Sequence, residues 1–245
     1  MKKRVLKKWQ NLLLGLDVDF GAFGISLKHS KCLSSLNEMQ LIKDADQEGF
    51  SFPHGCLSTL DEEELNLFEC KTGLILPQGY QEYCQVFGSG RFGINGFRIE
   101  SPSIQYLEKH LGSNRGILEA QIAGYNRELN KVEKEFKQLL ENAYLFGTGE
   151  DCLLFVFDLR TYSDQDRSYD IYGVLDDEVG TILTYFFGRD FFAFIRDICI
   201  GQQAKNRFPT WMNIIPSEIN QDHPEYADYQ STTFFPFPIQ ENLPE

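Results

Sequence analysis

The chain lacks the residue patterns that mark most metal-bound and catalytic proteins. It has only four histidines, and none of its six cysteines lies at C-x-x-C spacing from another. His54-Gly55-Cys56 comes nearest to a metal pattern but has no second half, and a tetrahedral zinc site needs both. Cys32, Cys56, Cys70, Cys84, Cys152 and Cys199 therefore read as free thiols of a reducing, cytoplasmic compartment. There is no Gly-x-Ser-x-Gly elbow, no H-E-x-x-H and no Walker loop. No apolar stretch is long enough to span a bilayer. The start resembles a signal peptide, but its apolar part, Leu12 to Leu16, is short and no small-residue cleavage site follows.

Positive charge is also scarce. Formal net charge is −13, with 23 basic against 36 acidic residues. Lys2, Lys3, Arg4, Lys7 and Lys8 crowd the first fifteen residues, which carry no acid. After Arg207 there is no Lys or Arg. So acidic a body repels nucleic-acid phosphates and anionic lipid, and attracts a basic protein.

Aromatic side chains are plentiful, with 21 Phe and 11 Tyr, enough for a well-filled core. Length and composition fit a globular chain of one large or two small domains.

The most informative stretch runs from Leu76 to Gly96 and contains a G-x-G-x-x-G string at Gly88, Gly90 and Gly93. A dinucleotide fingerprint needs a strand before the glycines and a helix after them. Here the order is inverted. Pro77 fits a first helical position, and Tyr80, Tyr83, Cys84 and Phe87 follow on one helical face. Gly88 falls where a helix-ending glycine belongs. Phe92, Ile94, Phe97 and Ile99, around Asn95-Gly96, read as extended chain with a tight turn. A phosphate would find no helix N-terminus. A kinase reading fails as well, because the only Asp-Phe-Gly, Asp19 to Gly21, precedes the loop.

Elsewhere, Val5, Trp9, Leu12, Leu13 and Leu16 share one helical face. That helix either docks on its own domain or binds a surface as a basic amphipath; its small apolar face favours docking. Thr59 with Glu62 forms a candidate capping box, with Leu65 and Phe68 on the helix that follows. From Asn114 to Ala143, Leu118, Ile122, Tyr125, Leu129, Val132, Phe136, Leu139 and Ala143 make an unbroken heptad stripe. It fits a coiled coil or, preferably, one helix laid across a sheet.

Cys152 to Phe157 reads as a buried strand, Tyr169, Ile171 and Gly173 as its partner, and Thr181 to Phe187 as a third. A helix over Asp190–Gln203 then presents Phe191, Phe194, Ile195 and Ile198 on one face. Residues 208–245 read as an irregular, acidic, proline-containing tail in which Phe234, Phe235 and Phe237 are candidates for docking. Strands joined by short loops, with helices before and after, imply an α+β domain with a mainly antiparallel sheet.

Three of these segments, taken in order, resemble the SUKH superfamily of fungal cell-wall-assembly regulators and bacterial immunity proteins. The first is Leu76-Pro77 with Tyr80 and the glycines Gly88, Gly90 and Gly93. The second is Phe146 to Asp158, with Gly147 before the apolar run and Asp158 at its end. The third is Phe186 to Ile198. The resemblance divides the chain into an extension (1–57), a SUKH-like domain (58–207) and a tail (208–245). It implies a binding module without catalytic residues, metal or cofactor, whose matched residues are structural.

Two partners follow from it. One is a cognate toxin, with nucleases among the candidates, met by the acidic loop residues Asp164, Asp166, Asp176, Asp177 and Glu178. The alternative is a regulatory scaffold for a housekeeping partner, with the basic helix and acidic tail as extra docking elements. The same acids also fit ordinary solvated turns. Adjacent acids in a turn do not by themselves make a positioned acid–base pair.

Overall fold

Alternation along the central strands divides their side chains between two buried faces. The computed structural model describes residues 2–18, 57, 59–93, 97–104, 107, 111, 131–149, 153–176, 182–201, 203, 208 and 233–237. In chain order these form α1 (Lys2–Leu14), β1 (Asp17–Val18), α2 (Glu62–Thr72), α3 (Gln78–Val86), β2 (Gly90–Phe92), β3 (Phe97–Ile99), α4 (Lys131–Glu141), β4 (Ala143–Thr148), β5 (Leu154–Ser163), β6 (Ser168–Asp176), β7 (Ile182–Gly188), α5 (Phe191–Ala193), a π-helix (Phe194–Ile200) and β8 (Thr233–Pro236). The strands make one sheet in the order β1-β8-β2-β3-β4-β5-β6-β7. Every neighbouring pair is antiparallel except β1 with β8. The fold is α+β with a mainly antiparallel sheet, as the sequence implied.

On one face, Tyr144 and Phe146 of β4, Phe155 and Phe157 of β5 and Ile171 and Leu175 of β6 join the aromatic core under α1, α2, α3 and α5. On the other, Ala143, Leu145, Leu154, Val156 and Val174 meet Phe136, Leu139 and Leu140 of α4. A strand covered on both sides has no polar face, which explains the continuous apolar run of β5. For the described part of the long helix, the sheet-covering arrangement is the one present; residues 112–130 of the stripe lie outside the described residues. The helix also stops earlier than the stripe suggested. It ends at Glu141, and Ala143 opens β4, where Ala143 pairs with Asp158.

Tyr80, Tyr83, Cys84 and Phe87 are fully buried, so the spacing identified the inner face of α3. The Tyr80 ring centroid lies 5.4 Å from that of Phe157 and 5.3 Å from that of Phe191, edge-on, a favoured aromatic geometry. Gly79 permits this approach, because a Cβ there would sit 3.0 Å from Phe191 Cβ.

Three further helix boundaries differ from the sequence reading. The capping box of α2 is Asp61 with Glu64, not Thr59 with Glu62: Asp61 Oδ1 accepts from the Glu64 amide at 2.8 Å, and Glu64 Oε2 from the Asp61 amide at 2.8 Å. The Leu60 amide is already committed to the Cys84 carbonyl, so the chain turns helical only after it. This start also puts Glu62, Glu63 and Glu64 in the first turn, where the helix dipole favours them. Pro77 is the N-cap of α3 rather than its first residue. The closing helix begins beside its cap, Asp190, whose Oδ1 accepts from the Phe192 and Ala193 amides. It then widens into π winding over Phe194–Ile200 instead of running α-helical to Gln203. At Gly201 a Cβ would meet the carbonyls of Asp197 and Arg196, at 2.7 and 2.9 Å, so this tight exit needs glycine.

The sheet edge nearest the termini holds the largest departure. Residues of the expected irregular tail form β8, inserted between β1 and β2. Phe234 is fully buried and Phe235 nearly so. At the other end of the chain, Trp9, Leu13 and Leu16 of the N-terminal segment are buried in the main core. The described helix α1 thus docks by its apolar face. Among the described residues, no helix is long and apolar enough to cross a membrane.

Candidate functional site

The β5–β6 hairpin carries the best-organised polar cluster outside the core. Its loop exposes Asp164 and Asp166, and one arginine from the end of β7 holds its base. Arg189 Nη1 donates to Asp170 Oδ1 at 2.7 Å, and Nη2 donates to the carbonyls of Thr161 and Ser168 at 2.7 and 2.8 Å. Nε donates to Asp166 Oδ2 at 3.1 Å and to Ser168 Oγ at 3.3 Å. The planar guanidinium fork can reach both strands at once, which an ammonium cannot. The Asp166 carboxyl is held below its ordinary range, chiefly by hydrogen bonding to Ser168, with Ser163 and Arg189 adding to it.

The hairpin is also tied to the Leu-Pro segment. The Gln78 amide donates to the Arg167 carbonyl at 2.9 Å, and the Tyr169 hydroxyl donates to the Ile75 carbonyl at 2.9 Å. Arg167 has φ 48°, a left-handed conformation uncommon outside glycine.

The structure separates the described members of the five-acid set of the sequence reading. Asp164 and Asp166 precede β6, whereas Asp176 ends it, paired with Ile182. Loops at opposite ends of a strand this long are about 26 Å apart at the usual rise per residue. The side chain of Asp176, and Asp177 and Glu178 entirely, lie outside the described residues.

The residues on which the resemblance was drawn lie in the core or at turns. Leu76 and Pro77 are buried, and the Leu76 amide donates to Glu69 Oε1 at 2.6 Å. The Tyr80 hydroxyl donates to the Glu100 carbonyl. Gly88 and Gly93 take φ of 67° and 58°, which turn the chain at either end of β2. A Cβ on Gly90 would overlap the Phe234 ring, and one on Gly147 would overlap the Arg98 carbonyl. Asp158 is buried at 3% exposure and binds Arg160 through both carboxylate oxygens, at 2.8 and 2.6 Å. The space beside the middle glycine of the G-x-G-x-x-G string is thus filled by the chain's own phenylalanine.

A second polar cluster lies under α1. Glu82, 7% exposed, accepts from Trp9 Nε1 at 2.9 Å and from Gln78 Nε2 at 2.9 Å, with Lys8 Nζ at 3.4 Å. This carboxylate anchors the helix from below.

The buried thiols are poor nucleophiles. Burial pushes Cys84 up to about 12 and Cys199 well above its ordinary value, so both stay protonated at neutral pH. Cys70 is free and exposed; Cys32, Cys56 and Cys152 lie outside the described residues. Among the described residues, no three His, Cys, Asp or Glu side chains are grouped to hold a metal ion.

Neither Arg189 nor β8 was found from the sequence. Two of the five Arg189 acceptors are backbone carbonyls, which leave no side-chain pattern to read. A Phe-Phe-Pro run within a proline-containing tail reads as loop unless its distant partner strand is known. No family model, no curated protein and no solved structure matches the chain.

Proposed function

We propose that the chain is a non-enzymatic protein-binding module of the SUKH type: an immunity protein that captures a cognate bacterial toxin in the cytoplasm. The observation that carries this reading is the β5–β6 loop, whose exposed Asp164 and Asp166 stand on a base held by Arg189. Exposed carboxylates on an acidic protein suit a basic nuclease cleft, because opposite charge speeds encounter. Protonated, buried thiols and family residues spent on core and turns accord with binding rather than catalysis. Free thiols at Cys70, Cys84 and Cys199 fit a reducing compartment.

The alternative, a regulatory scaffold of the cell-wall-assembly type, used the N-terminal helix and the tail as docking arms. It has less to draw on, since the apolar side of α1 is spent on this chain's own core.

Co-expression tests the proposal. Cells producing a toxin domain encoded beside this gene should survive when the wild-type chain is present. They should lose protection when Asp164 and Asp166 become lysine. A toxin that kills equally with and without the chain refutes it.

A further inference from the structure

Strand β8 is bound the way a peptide ligand is bound. Its backbone pairs on both sides, with Val18 of β1 facing Phe234, and Gly90, Arg91 and Phe92 of β2 facing Pro236, Phe235 and Phe234. The Phe237 amide extends the ladder to the Ser89 carbonyl at 3.0 Å. Alternate side chains then enter separate subsites. The Phe234 ring lies against the bare backbone of Gly90, with centroids 5.2 Å from Phe87 and 4.9 Å from Phe92. Phe235, on the opposite face of the strand, packs under the Arg91 guanidinium at 5.0 Å. Backbone pairing supplies affinity and alternate pockets supply selectivity, as in strand-addition recognition.

We propose that this slot between β1 and β2 is a peptide-binding site, that residues 233–236 are its resident intramolecular ligand, and that it accepts an extended Phe-Phe-Pro segment from a partner protein. The ligand chemistry is read from the slot. One aromatic ring must fit beside a residue without a Cβ. The next must stack under a guanidinium. The backbone must be extended, and a proline is tolerated at the exit opposite Gly90.

A second copy of the chain is the weaker occupant. The tail belongs to the same chain, and a covalently joined segment competes at an effective concentration on the order of 1 mM. Copies at micromolar concentration cannot compete with that, whereas a partner anchored elsewhere on the protein gains a comparable local concentration. This inference does not depend on the toxin reading, and its test involves no toxin.

The probe is a fluorescent peptide of residues 229–240, titrated by anisotropy into the full-length chain and into a full-length Phe234→Ala/Phe235→Ala variant. The variant should bind it with a dissociation constant on the order of 10 µM, and the wild type about 100-fold more weakly, because its own tail competes at millimolar effective concentration. A peptide carrying alanine at both phenylalanine positions should bind neither. If the variant is unfolded alone, about 1 mM wild-type peptide should restore its far-UV circular dichroism. A variant that neither binds the peptide nor is restored by it overturns the proposal. So does a wild type that binds as tightly as the variant. A wild-type dimer forming below about 100 µM in analytical ultracentrifugation would overturn it in favour of tail exchange between copies.

Discussion

Gly90 and Phe234 are mutually dependent: the ring occupies the space that a side chain at position 90 would need. These residues lie far apart in sequence, yet they meet in neighbouring strands, and Phe234 shares one core with Trp9 and Val18 from the other end of the described chain. Gly90→Leu should therefore expel Phe234 and leave its pocket lined by Phe87 and Phe92. A loss of about 3 kcal/mol is expected, in the range for truncating a buried phenylalanine, read as a lowered urea midpoint. Gly73, which ends α2 with φ 72° and open space around it, serves as a control. Gly73→Asn should cost much less, because asparagine tolerates that conformation.

The buried Trp9–Glu82 bond predicts an asymmetry between two substitutions. Trp9→Phe keeps most of the apolar packing but removes the indole donor from a carboxylate at 7% exposure. It should cost about 1–3 kcal/mol, the usual penalty for a buried group that loses a partner. Pairing it with Glu82→Leu should recover part of that loss, since both polar partners are then gone. Thermal denaturation of the two single variants and the double variant measures the coupling.

Arg189 should prove irreplaceable by lysine. It spans Thr161, Asp166, Ser168 and Asp170, and a single ammonium cannot satisfy that set. Arg189→Lys should cost about 2 kcal/mol, as expected for lost charge-assisted hydrogen bonds. It should also speed hydrogen exchange at Ser168 and Asp170 relative to the amides of Phe155 and Val156.

Stability should fall in alkali before it falls near neutrality. Burial raises Tyr80 and Tyr83 well above 10.0, and Cys84 from 9.0 to about 12. The unfolded chain therefore releases these protons at lower pH than the folded one. Below pH 9 the stabilisation is fully present. It is lost as pH rises through 9 and 10 toward the folded values, at about 1.4 kcal/mol per pH unit for each group. Urea unfolding at pH 8, 9.5 and 10.5 reads the slope, and Cys84→Ala should make it shallower from pH 9 upward.

The parts legible in the sequence were those with local periodicity. The inner face of α3 and the runs of β5 and β6 follow from spacing alone, because a helix or strand must turn its apolar positions inward. Phe191, Phe194, Ile195 and Ile198 were placed correctly on a buried face even though the winding there is partly π. What stayed hidden depends on distant partners. The two-residue β1 and four-residue β8 pair with each other from opposite ends of the chain, and neither is long enough to show a period. The acidic set was misjoined for a different reason. Successive hairpins of an antiparallel meander turn at alternate ends of the sheet, so Asp164 and Asp166 stand away from Asp176. That rule was available from strand order alone.

Affinity capture tests the central claim, that the chain acts by binding a protein through its acidic loops, most directly. The wild-type chain, an Asp164→Lys/Asp166→Lys variant and an Asp176→Lys/Asp177→Lys/Glu178→Lys variant would be used as baits in native cells. Each would first be matched for fold by its urea midpoint. The account predicts a basic protein on the wild-type bait that is lost from the Asp164/Asp166 variant. A partner retained equally by all three baits, or a chain that turns over a substrate with no protein bound, would contradict it.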